Sequence, residues 1–328
     1  MEKSIMNLNN KKILFIAPKF YYYHSDIVKS LEFQGSYVTF YPEMIQSVLY
    51  RISNKFSAML ENYLRNRYLK SILDDTKENM YEIVFVIRGG YLSPLWLEAL
   101  RLKLPNAEFV MYQWDSTRQN NYLALIKYFD SVKTFDMIDA KKYNLDYLPL
   151  FYTRQYRELQ KEKKVQKYDL VFFGAYHSDR LKIIKYIDKL FKKNNLVFKY
   201  HLFVTRLALF RLLLTRVISL NDLPYFKTYS VSSDEIIETY KESSAVLDIE
   251  LSIQNGLTMR TFETLGAHLK LVTTNENITK ESFYDPNTIM YIDRNNINLE
   301  LDFFKKTRDI DNKFDEFHID SWIKNILV

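Results

Sequence analysis

The chain has 328 residues, 47% of them hydrophobic and 26% charged, which supplies apolar material for two domain-sized cores and leaves too little polar bias for disorder. It contains no Cys and only six Gly, so disulfide frameworks, thiolate metal sites and cysteine nucleophiles are excluded. Neither G-x-G-x-x-G nor G-x-x-x-x-G-K-[ST] occurs, and 46 Lys and Arg against 40 Asp and Glu give a net charge of +6, a mild basicity that favours anionic partners without choosing among nucleotides, phospholipid head groups and nucleic acid.

Residues 11–18, Lys-Lys-Ile-Leu-Phe-Ile-Ala-Pro, read as a buried first strand of a parallel sheet. The run is too short for an export signal and no stretch reaches the ~18–20 apolar residues of a membrane span, so the chain reads as cytoplasmic. A helix is predicted over 25–34 and a strand over 37–40, and residues 43–77, nearly free of breakers, should be mostly helix. Residues 83–87 form a third buried strand ended by Gly89-Gly90, and Ser93-Pro94 opens the next helix. Strands at 109–112, 131–135 and 147–150 complete an alternation of strand and helix, the pattern of a βαβ sheet.

Residues 154–167 break this pattern with a polar, highly charged run and are predicted to be a linker. The pattern then restarts with strands at 169–174, 198–204, 245–249, 269–273 and 289–292 and helices at 178–193, 234–242 and 259–266. The expectation is an α/β chain with a Rossmann-like domain over 1–153, a linker over 154–167 and a second Rossmann-like domain over 168–328, the two facing a central cleft.

The most informative stretch, 254–266, lies between a strand and a helix and reads Gln-Asn-Gly-Leu-Thr-Met-Arg-Thr-Phe-Glu-Thr-Leu-Gly. Backbone amides at Leu257, Thr258 and Met259 would sit at a helix N-terminus, where an anion is favoured. Gly256 permits close approach, Arg260 can reinforce a phosphate, and Glu263, one turn on, can accept two hydrogen bonds from a ribose diol. An ordinary capped helix with Arg260 and Glu263 paired in solvent fits the local pattern equally well.

The spacing from Asn255 to Glu263, followed by Leu271-Val272-Thr273-Thr274, resembles the nucleotide-sugar element of GT-B glycosyltransferases, and the Gly-Leu-Thr-Met-Arg-Thr-Phe-Glu string resembles a subgroup tied to bacterial capsule, lipopolysaccharide and spore-coat saccharide synthesis. In that family an E-x₇-E pattern places its second Glu on the donor ribose. Here Asn255 replaces the first Glu and His268 occupies a position often Gly. The resemblance implies a glycosyltransferase that takes a nucleoside-diphosphate sugar as donor, needs no metal or other cofactor, and uses a saccharide or lipid-linked acceptor. It also implies a last helix, near 319–327, that returns to the first domain. The loop Gly174-Ala175-Tyr176-His177-Ser178-Asp179-Arg180 matches the family loop that brings a basic side chain to the donor diphosphate, so Gly174, Ser178 and Arg180 join the expected donor site. A Ser178 helix cap with Arg180 on a solvated face is the plainer alternative.

In the first half, Tyr112-Gln113-Trp114-Asp115-Ser116 follows a strand. Asp115 is a candidate general base for an acceptor hydroxyl, or a helix cap. Phe20-Tyr21-Tyr22-Tyr23-His24 follows the first strand, suits a saccharide-binding wall, and offers His24 as a second base. Arg88-Gly89-Gly90 places a cation and amides nearby. The five His residues have no metal-ligand spacing, and Asp309-Ile310-Asp311 reads as a solvated loop. Residues 191–220 hold six cations and no acid, interleaved at their end with leucines; Arg51, Lys55, Arg65, Arg67 and Lys70 form a second basic stretch. Both fit an anionic membrane surface or, equally, core faces with solvated edges. A non-catalytic two-domain ligand-binding protein and a polyanion- or nucleic-acid-binding protein are the rival readings, the latter without any recognisable nucleic-acid module.

Overall fold

A computed structural model describes residues 8–45, 50, 57–161, 165–177, 179–252, 255–305 and 312–327. The chain divides into two compact units, one of residues 1–150 with 319–328 and one of residues 151–318.

The first unit is built on six parallel strands, β1 (Lys12–Ala17), β2 (Tyr37–Pro42), β3 (Ile83–Ile87), β4 (Glu108–Gln113), β5 (Ser131–Thr134) and β6 (Asp146–Tyr147), in the order β2-β1-β3-β4-β5-β6. Residues 13–17 and all of β3 are buried, as continuous apolar strands must be when helices cover both faces of a parallel sheet. Register places Phe15 beside Phe40 and Phe85, and the Phe15 and Phe85 rings stack at 5.1 Å. The helices are α1 (Tyr23–Phe33), α2 (Ala58–Asp75), α3 (Pro94–Lys103) and α4 (Met137–Tyr143). Ser57, Ser93 and Asp136 cap the last three through their side chains. Of the stretch expected to be helical from 43 to 77, residues 46–49 and 51–56 lie outside the described residues.

The C-terminal helix, labelled α11 (Ile319–Leu327), belongs to this unit. The Trp322 indole N–H donates to the Pro149 carbonyl at 3.1 Å and its ring meets Tyr112 edge-on at 4.9 Å. The Ser30 hydroxyl donates to the Asp320 carboxylate, and the Lys133 ammonium to the Asn325 carbonyl.

The second unit opens with α5 (Arg154–Glu158), which continues as a 3₁₀ turn through Lys161. The start of the expected linker is therefore ordered structure. Tyr156 and Leu159, three residues apart, are buried on one face, and the Gln160 amide donates to the Gly266 carbonyl at 2.6 Å. The high charge of the segment conceals this short apolar spacing. Six parallel strands follow, β7 (Tyr168–Ala175), β8 (Phe198–Phe203), β9 (Phe226–Lys227), β10 (Ser243–Asp248), β11 (Lys270–Thr273) and β12 (Ile289–Tyr291), in the order β12-β11-β10-β7-β8-β9. They alternate with α6 (Arg180–Lys193), α7 (Arg206–Leu214), α8 (Ser233–Lys241), α9 (Met259–Gly266) and the single turn α10 (Asp302–Lys305). Ile183, Ile184, Ile187 and Phe191 form the buried stripe of α6. The sequence reading missed α7, whose leucine run has no polar stripe to reveal a helical period, and the two-residue β9. Among the described residues no helix is long and apolar enough to cross a membrane.

Candidate functional site

The strand order of the second sheet reverses beside β7, with β8 on one side and β10 on the other. In doubly wound sheets ligands bind beyond the carboxyl ends of the strands at such a reversal. Here that edge holds three arginines, 180, 260 and 294, and the acids Asp179, Asp248, Glu250 and Glu263.

Asp248 ends β10, is buried, and organises the start of α9. Its Oδ2 accepts from the Thr258 hydroxyl at 2.6 Å and from the Thr261 hydroxyl at 3.1 Å, while Thr258 is also the N-cap, accepting from the Thr261 amide. The loop before the helix is tied from β11: the Asn275 amide donates to the carbonyls of Asn255 and Gly256, at 3.3 and 3.1 Å, and the Asn277 amide to Asn255 at 3.0 Å. Leu257 is buried as an anchor. Gly256, Leu257, Thr258 and Met259 thus form a fixed approach to a helix whose first amides have no intrahelical acceptor.

Glu263 is only 6% exposed, so it is not the solvated partner of Arg260 that the plain reading anticipates. Burial works against the Arg260 cation, yet Tyr240, Asp248 and Glu263 outweigh it and hold its pKa above the ordinary guanidinium value. The buried Arg260 Nε has no hydrogen-bond partner among the described residues.

Arg180 is not on the solvated face that the plainer alternative gives it. Its Nε and Nη2 donate to the Ile249 carbonyl, the former at 2.9 Å, and its Nη1 to the Ala175 carbonyl at 2.8 Å, so it clamps the ends of β7 and β10 together. Gly174 makes room for this: a Cβ there would meet the Arg180 Nη1 and the Phe172 ring, each at 2.8 Å. Burial first, and then repulsion from Arg260, push the Arg180 pKa down to about 10. Burial, Arg180 and Arg294 push His177 down to about 4. In both, burial is the larger cause, and the neighbouring arginines add to it. Ser178 lies outside the described residues.

Sequence reasoning passed over Asp248, Glu250, Asn275 and Arg294. Arg294 donates to Asp179 at 2.7 Å and to the Glu250 carboxylate, whose other oxygen accepts from the Thr274 hydroxyl at 2.6 Å. Burial pushes the Glu250 pKa up. The available signal was position: Asp248 and Glu250 straddle a strand's carboxyl end, and Asn275 follows another.

In the first unit the reversal lies between β1 and β3. Asp115 does not cap a helix; its Oδ2 accepts from the Arg88 Nε at 2.7 Å. Arg88 also reaches the fully buried Glu43 carboxylate at 3.1 Å, and its carbonyl is held by the amides of Gln113, at 2.7 Å, and Asn120, at 3.0 Å. Burial raises the Glu43 pKa against the opposing pull of Arg88. His24 stands in the second position of α1, its Nε2 within 3.3 Å of the Ser25 hydroxyl and its ring 5.2 Å from Phe40. Burial first, and then Lys19, lower its pKa, which favours the neutral ring. The two candidate bases have separate partners. Around them Phe20, Tyr21 and Tyr22 are exposed, and Phe20 packs edge-on to Trp114 at 6.5 Å.

Among the described residues no three His, Asp or Glu side chains gather as a metal site, and Asp309 and Asp311 lie outside them.

No protein-family model matches the chain, and no curated protein matches its sequence. Solved structures do share its fold. A glycosyltransferase from Rickettsia africae ESF-5 superposes with a TM-score of 0.54 at 14% identity, over 88% of this chain and 85% of that one. The UDP-GlcNAc 2-epimerase of Methanocaldococcus jannaschii, in complex with UDP-GlcNAc and UDP, gives 0.51 at 12% identity over 96% and 99%. The catalytic domain of starch synthase IV from Arabidopsis thaliana, bound to ADP and acarbose, gives 0.52 at 8% identity over 98% and 96%. The chain has the fold of GT-B glycosyltransferases, built as two Rossmann-like α/β units.

Proposed function

We propose that this chain is a cytoplasmic glycosyltransferase that moves a sugar from a nucleoside-diphosphate sugar to a saccharide or lipid-linked acceptor in the synthesis of a bacterial surface polysaccharide. The observation that carries the reading is the placement of Arg260 and the buried Glu263 on the first two turns of α9, behind an N-cap locked by Asp248. Glu263 suits the ribose diol. Arg260 and the first amides of α9 suit the diphosphate, and they stabilise the charge that grows on it as the bond to the sugar breaks. Arg180 acts by holding the two strand ends that frame this anion site.

On the acceptor side Asp115 takes the proton of the attacking hydroxyl as the new oxygen–carbon bond forms and the nucleoside diphosphate leaves. His24 is the alternative base. The exposed aromatic rings of Phe20, Tyr21 and Tyr22 offer faces on which a sugar stacks.

Incubation with a panel of nucleoside-diphosphate sugars, with and without saccharide acceptors, tests this. Acceptor-dependent release of nucleoside diphosphate is expected. Because an epimerase shares the fold, the sugar is also analysed for inversion of a ring carbon without release; that outcome, or no turnover with any donor, would overturn the proposal.

A further inference from the structure

Helix α7 reads Arg-Leu-Ala-Leu-Phe-Arg-Leu-Leu-Leu, apolar on both faces, yet none of its residues is buried. Its inner face, Ala208, Leu209, Leu212 and Leu213, packs against the core of the second unit. Its outer face is left to solvent: Leu207, Phe210 and Leu214, followed by Val217 and Leu220, are each between 59% and 73% exposed. A helix hydrophobic all round belongs in a core or in lipid, and a contiguous exposed apolar patch marks an interaction surface.

Charge identifies the partner. Arg206, Arg211 and Arg216 are exposed, and they flank the apolar row without any ion pair among the described residues. No Asp or Glu occurs from 191 to 220, and the next acid, Asp222, is buried and bonded to Ser219 and Lys185. Arg216 also holds a position that favours glycine. Its φ is +56°, and its amide and that of Val217 donate to Leu213 and Leu212 at 3.1 and 3.0 Å, closing α7 in a Schellman turn. A cation is kept there at a conformational cost. The turn also brings Val217 back toward the end of α7. A second copy of the chain would set these arginines against each other.

We propose that α7 and the turn after it dock on an anionic lipid surface, the leucines and Phe210 entering the head-group boundary and the three arginines meeting lipid phosphates. This rests on the exposed helix and not on the transferase reading, and no donor is needed to test it.

The full chain is sedimented with vesicles of phosphatidylcholine alone or mixed with phosphatidylglycerol, at low and high salt. Binding to the anionic vesicles at low salt, reduced at high salt, is expected. Each arginine adds up to about fivefold to partitioning, so the triple change of Arg206, Arg211 and Arg216 to Gln should lower it by up to about a hundredfold. Phe210→Ser with Leu214→Ser should weaken binding even at low salt. These side chains are exposed, and an unchanged melting curve confirms the fold. In a Phe210→Trp variant the added fluorescence should be quenched by lipids brominated in their acyl chains. The proposal fails if the chain stays in the supernatant at low salt, if the arginine variant binds like the original, or if Phe210→Ser instead dissolves a lipid-free oligomer.

Discussion

Arg88 grips Asp115 from a backbone that few side chains adopt: its φ is +73°, and its Nε lies 2.7 Å from the Asp115 carboxylate. Such a conformation costs about 1–2 kcal/mol and persists only where surroundings over-determine it. Here Glu43, Gln113 and Asn120 do so. Asp115→Asn should lower turnover by about a hundredfold or more while nucleoside-diphosphate binding is unchanged. Equal activity would transfer the base role to His24. Arg88→Ala strands the buried Glu43 and should cost about 2–3 kcal/mol in urea unfolding, partly restored by adding Glu43→Gln.

At the proposed donor site, Glu263→Gln keeps the shape of the side chain and removes its charge. Nucleoside-diphosphate affinity by calorimetry should fall about tenfold or more, since one acceptor oxygen is replaced by an NH2 and the hydrogen bond to the other loses its charge assistance. Arg260→Gln should weaken the diphosphate more than the bare nucleoside. Arg180→Ala should act first on stability, because three donated bonds to carbonyls at two strand ends disappear. If Arg180→Ala melts like the original chain, its role is contact with ligand instead.

The last turn of α9 yields two substitutions of opposite sign. Gly266 lies against the Tyr152 ring, where a Cβ would overlap ring carbons. Gly266→Ala should destabilise by about 1–3 kcal/mol. His268 sits at φ +53°, and its amide and that of Leu269 donate to Leu265 and Thr264, both at 3.0 Å, in the pattern that normally ends on glycine. His268→Gly should stabilise by about 0.5–1 kcal/mol. Chemical denaturation reads both, and equal signs would contradict the geometry.

His177 makes stability depend on pH. Its folded pKa, about 4, lies below the ordinary 6.5, so its contribution is full above 6.5 and is lost as pH falls toward 4. The ring is partly solvated, which reduces the effect. Urea midpoints compared at about pH 7.5 and about pH 5 should fall less in His177→Gln than in the original chain. An identical fall would mean that burial and the Arg180 and Arg294 charges do not hold the His177 pKa down in the folded chain.

Both sheets were legible because their strands are apolar runs such as 83–87 and 169–174, closed by glycine or polar residues, and that signal is local. The α9 element was legible for the same reason, its residues being contiguous. What escaped was long-range. Asp115 finds Arg88, 27 residues away, and Arg180 finds Ile249, 69 away. Local sequence gives Arg180 an exposed helix position, and only the fold reveals that the side chain turns inward to strand ends. The helical face of α5 was hidden by its charges, and that of α7 by having no polar side.

The return of α11 to the first unit governs the order in which the protein can be made. Tyr112, Ser30 and Lys133 meet their partners Trp322, Asp320 and Asn325 only after 192 to 290 further residues have been added, roughly ten to sixty seconds later at ordinary elongation rates. The second unit, which runs to residue 318, is synthesised within that interval. The earlier sheet meanwhile waits with the α11 seat uncovered, a window in which a chaperone has apolar surface to hold.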